Sequence, residues 1–371
     1  MLTKKCAILL RMKIIHCADI HADSKMGTHF SKEKADERRN EIVNTFAKMV
    51  TFAKENDVKV IIIAGDLFDT KTSQQKTIKK RIAYIISQNP EIDFLYLRGN
   101  HDEDVEFADA DLMPNLKSFT KERWTSYSYG NVEVYGHEFG KTIPLSAYSE
   151  VSFDSKKVNI VVLHGQVAEY KAKEGAPVIS LPKFVNQNID YIALGHIHDY
   201  KKEKLDARCF WCYSGCLEGR GFDECGEKGF VLLNIENNQV ESRFVSLAER
   251  RIHEVEVRLD GAMNYNEIMQ AVTAKLAGIS SRDIVEVNLT GEVSEETEIE
   301  TQSYEAALSS NYYLIRFKDK TETKINYEKY ENDVSLKGEF IRLVKGQSDL
   351  SEDEKSKIIM TGIKALARRV N

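Results

Sequence analysis

The amino-acid sequence predicts an α/β protein built as a sandwich of two sheets, followed by a small α+β domain. In the first part of the 371-residue chain, apolar runs typical of buried strands alternate with helical patterns. From Trp124 onward the pattern changes to short strands separated by turn residues. After a seam near residues 248–251, a strand–helix–strand pattern begins again. Buried strands that alternate with helices favour a layered sheet with helices outside, and the later strands favour a second sheet packed on the first.

The predicted elements of the sandwich follow one another in a regular order. The strand MKIIHCAD precedes a helix over residues 33–56, in which Ile42 and Phe46 fall on one face at helical spacing. The strand VKVIIIAGD, a helix that contains Ile78 and Ile82, and the strand DFLYLRGNHD come next. The later strands are predicted in the segments NVEVYGHEF, KVNIVVLHG, IDYIALGHIH, ARCFWCYSG, KGFVLLNIE and VESRFVSL.

The remaining residues predict a second domain. The strands HEVEVRL and DIVEVNLTG bracket the helix YNEIMQAVTAKLA, and a third strand, YYLIRF, follows. The acidic run GEVSEETEIE, which lies between the second and third of these strands, is typical of a solvated loop or a helix start. We therefore expect one domain over residues 12–250 and another over residues 251–371.

The chain ends in two helical patterns, over residues 335–346 and 351–369. Ser351 and Glu354 have the spacing of a capping box at the start of the second helix. Both patterns carry an apolar stripe on one face, which has two interpretations. The stripe either packs against its own domain or docks on the coiled coil of a partner protein.

Composition excludes several classes of protein. Apolar residues make up 42% and charged residues 30% of the chain, which is typical of a globular protein with a core. No apolar run approaches the roughly 18 residues of a membrane span. Residues 1–11 resemble a leader or tag without a cleavage site, so we expect no export and a cytoplasmic protein with six reduced cysteines.

Charge is divided unevenly along the chain. Residues 1–251 contain 36 basic and 36 acidic residues, whereas residues 252–371 contain 16 and 22 and so carry the whole net charge of −6. A balanced first domain lacks the basic signature of a free-standing DNA-binding protein. Contact with nucleic acid would therefore need a local basic patch, a metal centre or a partner.

Metal-ligand residue types cluster at the ends of five predicted strands. Residues i and i+2 of a strand point the same way, so pairs such as Asp-x-His are expected to aim at one point. In α/β layers, ligands bind outside the carboxyl ends of the strands. Carboxylate, amide and imidazole ligands suit manganese, iron, zinc or cobalt better than calcium, and seven of them suit a two-metal site. The candidate ligands are Asp19, Asp66, Asn100 and four or five of the histidines His21, His101, His164, His196 and His198.

The order of these motifs resembles a known superfamily. DxH, GDxxD, GNHD, a single histidine and GHxH occur in this order in the calcineurin-like metallophosphoesterases. GDLFD, GNHDE and the stretch SGCLEGRGFDECGEKGFVLLNI are similar to the SbcD-type DNA repair nucleases, which work with an SbcC-type, SMC-like ATPase. The resemblance covers residues 12–250 and extends more weakly through residues 252–371. It implies a four-layer α/β/β/α metallophosphoesterase sandwich followed by a small C-terminal capping domain.

The resemblance also implies roles for individual residues. One divalent ion would be held by Asp19, His21, Asp66 and His198, and the other by Asp66, Asn100, His164 and His196. His101 would be a catalytic histidine that holds no metal, and Arg98 is a candidate contact to the substrate phosphate. The resemblance further implies manganese as the metal, DNA and the ATPase as partners, and a homodimer.

Other interpretations remain open from the sequence. The same metal centre would serve a phosphatase or a cyclic-nucleotide phosphodiesterase, and a non-catalytic interaction subunit could retain the metals for stability. Cys209, Cys212, Cys216 and Cys225 invite a zinc-ribbon interpretation, although small buried side chains are the simpler one. His16 and His137 are expected to be structural.

Overall fold

The chain folds into two compact units, Met1–Arg251 and Ile252–Asn371. The computed structural model describes residues 11–26, 30–69, 76–102, 107, 113–140, 142–168, 177–261, 263–324, 326–330 and 332–367. Residues 1–10 of the expected leader lie outside the described residues, and the first strand begins at Arg11.

The first unit alternates strands and helices and then continues in strands. Its elements in chain order are β1 (Arg11–Cys17), α1 (Lys32–Glu55), β2 (Val60–Ala64), α2 (Lys76–Ser87), β3 (Asp93–Leu97), β4 (Leu116–Ser118), β5 (Thr125–Tyr129), β6 (Val132–Gly136), β7 (Val158–His164), β8 (Gln166–Val167), β9 (Val178–Ile179), β10 (Tyr191–Gly195), β11 (Lys201–Lys204), β12 (Phe210–Tyr213), β13 (Gly229–Glu236) and β14 (Gln239–Ser246).

Two six-stranded sheets form the first unit. The first has the order β14-β13-β1-β2-β3-β4 and the second the order β11-β12-β10-β7-β6-β5. The central strands β1, β2 and β3 are parallel to one another, as are β6, β7, β10 and β12. The carboxyl ends of the parallel strands within each sheet therefore point to one edge of that sheet.

Alternate side chains of the first sheet enter two different cores. Ile61 and Ile63 of β2 pack with α1 and α2 on the outer face, where Phe46 and Ile82 are fully buried. Val60 and Ile62 of the same strand point to the other face, where they pack against the second sheet. This alternation follows from the two-residue period of a strand, and it places the helices outside and the sheets face to face.

A third core covers the outer face of the second sheet. Val161 of β7 and Trp211 of β12 pack there against two short 3₁₀ turns, Leu145–Ser149 and Leu181–Phe184. Layers on both outer faces and two sheets between them confirm the α/β sandwich that the sequence predicts.

The second unit is a smaller α+β structure. Its elements are β15 (Ile252–Arg258), α3 (Tyr265–Leu276), β16 (Ile284–Thr290), β17 (Glu292–Ser294), α4 (Thr301–Leu308), β18 (Leu314–Asp319), β19 (Glu322–Lys324), α5 (Leu336–Lys345) and α6 (Glu352–Ala367). A parallel sheet β15-β16-β18 packs with α3 and α4 in one core. Part of the acidic run forms the short strand β17 rather than a loop, because it pairs with β19.

The two terminal helices pack on each other. Ser351 and Glu354 form the expected reciprocal capping hydrogen bonds before α6. Ile341 of α5 and Ile359 and Ile363 of α6 lie in one buried cluster, so these parts of the apolar stripes face their own unit. No helix among the described parts of the chain is both long and apolar enough to cross a membrane.

Candidate metal centre

The seven candidate ligands lie at the carboxyl ends of five central strands. Asp19 and His21 follow β1, Asp66 follows β2, and Asn100 follows β3. His164 is the last residue of β7, and His196 and His198 follow β10. Contacts of β2 and β3 with β7, and of β2 with β10, bring the two sheets together here.

One group of ligand atoms comes from Asp19, His21 and His198. These atoms lie within 4.8 Å of one another. The Nε2 atoms of His21 and His198 are 3.4 Å apart and the rings meet edge to face. Both nitrogens can therefore reach a single cation between the two sheets.

The second group comes from Asp66, His164 and His196, with Asn100 beside it. Nε2 of His164 lies 3.3 Å from Oδ2 of Asp66 and 3.0 Å from Oδ1 of Asn100. Nδ1 of His164 lies 3.0 Å from the carbonyl oxygen of Ala64, and as donor to that carbonyl it leaves the lone pair of Nε2 for the centre.

Asp66 reaches both groups. Its Oδ2 lies 3.3 Å from His164 Nε2 and 3.9 Å from His21 Nε2, while Oδ1 accepts a hydrogen bond from the backbone N–H of His101. A single carboxylate between two groups of ligands is the arrangement required of a bridging ligand.

Four of the seven candidate ligands sit on backbone with positive φ rather than on regular strands. Asp19, His21 and Asp66 have φ values of 50°, 45° and 51°, and His196 has 106°. Such conformations are costly for non-glycine residues and cluster at functional sites. Asp19 and His21 meet in one group, as the sequence predicts for an i, i+2 pair, although both follow the end of β1. The same expectation is wrong for His196 and His198, which follow β10 and enter different groups.

Two glycines permit the close approach of the loops. A Cβ on Gly65, where φ is 99°, would lie 2.0 Å from His164 Nδ1, and one on Gly99 would lie 2.1 Å from Asp66 Oδ1. Any side chain at either position would displace a ligand.

The chemistry of the donor set fits bound cations. Asp19 is fully buried, and this burial raises its pKa to about 6. Burial opposes ionisation of Asp66 as well, but the neighbouring His164 holds its pKa below the usual range. Two buried carboxylates that face imidazole nitrogens lack a permanent counter-charge, and divalent cations would supply it.

Asp102, whose role the sequence did not reveal, joins two ligand loops. This fully buried carboxylate accepts hydrogen bonds from the backbone N–H groups of Leu67 and Gly99 and from the hydroxyl of Tyr96. It therefore ties the loop after β2 to the loop after β3, and both loops carry ligands. The sequence signal was its place as the last residue of GNHD.

Comparison with known proteins identifies the family of this centre. The family model for calcineurin-like phosphoesterases matches residues 12–200, which is half of the chain. The chain belongs to the calcineurin-like phosphoesterases. Enzymes of this metallophosphoesterase family use divalent metals, and the clustered ligands lie within the matched residues.

Similar proteins are found among the metallophosphoesterases of bacteria and archaea. The chain is 26% identical to the uncharacterized metallophosphoesterase YhaO of Bacillus subtilis, over 71% of this chain and 67% of that protein. It is 24% identical to the DNA double-strand break repair protein Mre11 of Haloferax volcanii, over 83% and 67%. It is also 24% identical to the protein of the same name from Methanosarcina acetivorans, over 72% of this chain and only 44% of that relative's length.

Asp69, the second aspartate of the GDxxD motif, pairs with His101 beside the candidate ligands. Oδ1 of Asp69 lies 3.0 Å from His101 Nδ1 and 3.3 Å from His21 Nδ1. This hydrogen bond raises the pKa of His101, whose ring is half-exposed. The backbone N–H of Asp69 donates to Asp23, which fixes the loop. The sequence places Asp69 in the GDxxD cluster as its last residue but does not indicate its pairing with His101.

The side chain of Arg98 forms an ion pair with the carboxylate of Glu138. Its guanidinium makes two contacts with buried Glu138, Nε to Oε1 at 3.0 Å and Nη2 to Oε2 at 2.8 Å. Its backbone N–H donates to the same carboxylate. The ion pair anchors the start of the GNHD loop.

The zinc-ribbon interpretation of the cysteines finds no support. None of Cys209, Cys212, Cys216 and Cys225 joins a cluster of potential metal ligands among the described residues. Burial raises the pKa of Cys212 to about 12, so its thiol stays neutral and packs as a small apolar group.

The remaining histidines of the first unit are structural where they are described. His16 is buried between the sheets, with Nδ1 3.0 Å from the hydroxyl of Tyr191. His137 stacks on Phe139 with ring centroids 4.0 Å apart.

Proposed function

We propose that this chain is a metal-dependent DNA phosphodiesterase of the SbcD type that binds two divalent ions, most readily manganese. The observation that carries the proposal is the convergence of seven ligands from five strand ends, with Asp66 reaching both groups. Asp19, His21 and His198 would hold one ion, and Asn100, His164 and His196 the other.

The protein's own residues would then orient the substrate and move a proton. When bound, two ions clamp phosphate oxygens and neutralise the charge that develops during in-line displacement. Asp69 orients the His101 ring through Nδ1 and favours its protonated form. His101 would donate a hydrogen bond or proton to the phosphate or the leaving oxygen, which is typically worth about 10²–10⁴ in rate.

DNA as the substrate is supported by the names of two relatives and by the motifs of the nuclease branch. The first 251 residues carry no net charge, so tight binding of DNA by this chain alone is not expected. An SbcC-type, SMC-like ATPase and a homodimer would supply further DNA contacts, and the protein would act in the cytoplasm.

The decisive experiment compares two substrates. Purified protein is incubated with labelled single- and double-stranded DNA and with a chromogenic phosphodiester, in manganese, magnesium or EDTA. The proposal expects manganese-dependent cleavage of DNA that EDTA abolishes. Hydrolysis of the chromogenic ester without cleavage of DNA would indicate a phosphatase or cyclic-nucleotide phosphodiesterase. Two bound ions without turnover of either substrate would indicate a non-catalytic subunit.

A further inference from the structure

A buried carboxylate outside the seven ligands contacts one of them. Glu224 lies in the segment between β12 and β13 and is 3% exposed. Its Oε1 lies 2.7 Å from Nδ1 of His198. Both oxygens of Glu224 accept hydrogen bonds from Arg220, so this carboxylate acts as an acceptor toward its neighbours. Nη2 of Arg220 also lies 3.2 Å from Nδ1 of His198, but Glu224 is closer, so we assign the proton to Nδ1. The lone pair of the neutral ring is then on Nε2, the atom that faces His21.

Arg220 holds Glu224 in place. The backbone N–H of Arg220 donates to Oε2 at 2.7 Å, and its Nη2 donates to Oε1 at the same distance. The thiol of Cys216 also lies 3.7 Å from Oε2. Burial opposes ionisation, but His198 and Arg220 together hold the pKa of Glu224 below its usual range. The contacts with His198, Arg220 and Cys216 fix the position of this carboxylate.

The same segment fixes the backbone of His198. Nζ of Lys228 donates to the carbonyl oxygen of His198 at 3.0 Å, and the backbone N–H of Cys216 donates to the same oxygen at 3.1 Å. The segment is in turn anchored to α1, because buried Glu218 pairs with Arg38 at 3.0 Å. Both the backbone and the ring of His198 are thus set by residues 214–228.

We infer that Glu224, oriented by Arg220, is a positioning residue that fixes the ring tautomer and direction of His198 and so sets the affinity of one of the two metal sites. The inference rests on the proposed function, because it requires that His198 holds an ion. Carboxylates that orient metal-bound histidines typically contribute 10- to 100-fold to metal affinity. Among the described residues, the contacts of the Glu224 carboxylate are with His198, Arg220 and Cys216, so its effect is expected at the site to which His198 would contribute.

The test compares Glu224→Gln with Asp223→Asn. Both variants remove one carboxylate charge from neighbouring positions, but Asp223 is exposed and Glu224 is buried against His198. Manganese binding to the full chain is measured by isothermal titration calorimetry, and the visible spectrum of the cobalt-loaded protein reports ligand geometry. Thermal unfolding in EDTA shows whether each metal-free variant is folded.

Glu224→Gln is expected to weaken one manganese site about 10- to 100-fold, to leave the other unchanged and to alter the cobalt spectrum, whereas Asp223→Asn behaves as the unmodified chain. Equal affinity at both sites in Glu224→Gln would overturn the inference while the proposed metal centre stands. Equal weakening by both variants would also overturn it, since only loss of charge would then matter. Failure of the unmodified chain to bind two manganese ions would instead reject the proposed function.

Discussion

His101 is proposed as a proton donor rather than a metal ligand, although its ring lies in a group of possible ligand atoms with His21 and Asp69, and this assignment can be tested. Its ring pairs with Asp69, and only its backbone N–H contacts Asp66. His101→Ala is therefore expected to retain both metal ions while hydrolysis falls by about 10²–10⁴-fold. The measurements are metal content by mass spectrometry after gel filtration and the rate on DNA or a chromogenic diester.

Asp66→Ala provides the contrast for this prediction. The carboxylate of Asp66 lies near a histidine of each ligand group, so its removal should release both ions as well as abolish activity. If His101→Ala also loses metal, His101 is a ligand and its assignment as a proton donor is wrong.

The candidate ligands could be recognised in the sequence, but the backbone conformation that brings them together could not. Asp19 and His196 were recognisable because they belong to motifs that follow apolar strands. Their left-handed φ values depend on hydrogen bonds between loops, such as that from His196 N–H to Asp19 Oδ1 at 2.9 Å, 177 residues apart. Likewise, no local sequence pattern indicates that Arg98 pairs with Glu138, because the two residues follow β3 and β6 and meet only in the folded protein.

At the scale of elements, β1 and β10 belong to different sheets and meet through His16 and Tyr191. Complete burial lowers the pKa of His16 from 6.5 to about 3. Between pH 6.5 and about 3, His16 is therefore protonated in the unfolded chain but neutral in the folded protein. The free energy of unfolding consequently decreases as the pH falls from 6.5 toward 3. In that window, His16 is expected to reduce the free energy of unfolding by up to about 1.4 kcal/mol per pH unit.

This prediction is checked by urea unfolding at several pH values between 7 and 4, with His16→Asn for comparison. Asparagine keeps a polar atom near Tyr191 but cannot take up a proton. The slope of unfolding free energy against pH should be shallower in His16→Asn by about the amount that His16 contributes. Parallel slopes in the two proteins would show that protonation of His16 is not coupled to unfolding.

Helices and strands could be predicted from the sequence where the spacing of apolar residues follows a single period. The helix expected over residues 33–56 is α1, Lys32–Glu55, and it begins after Ser31, whose side chain accepts a hydrogen bond from Lys34 N–H. The short strand β17 was missed because its sequence is mostly acidic, and only pairing with β19 makes it a strand. Pairing partners distant in sequence override weak local preference.

At the scale of the whole molecule, the division into two units predicts that metal binding stabilises the first unit, Met1–Arg251. All seven candidate ligands lie in Met1–Arg251, and each strand end that carries them gains a fixed partner when a cation binds. A ligand that binds only the folded protein stabilises it by about 2.7 kcal/mol when the free ligand concentration is 100 times the dissociation constant.

Hydrogen exchange followed by mass spectrometry should therefore slow on addition of manganese, most strongly in peptides that contain residues 17–23, 64–69 and 195–199. The Asp66→Ala protein is the control and should show no such protection. Protection centred on residues 252–371 in the unmodified chain would place the metal in the second unit and contradict the site described at the sheet edge.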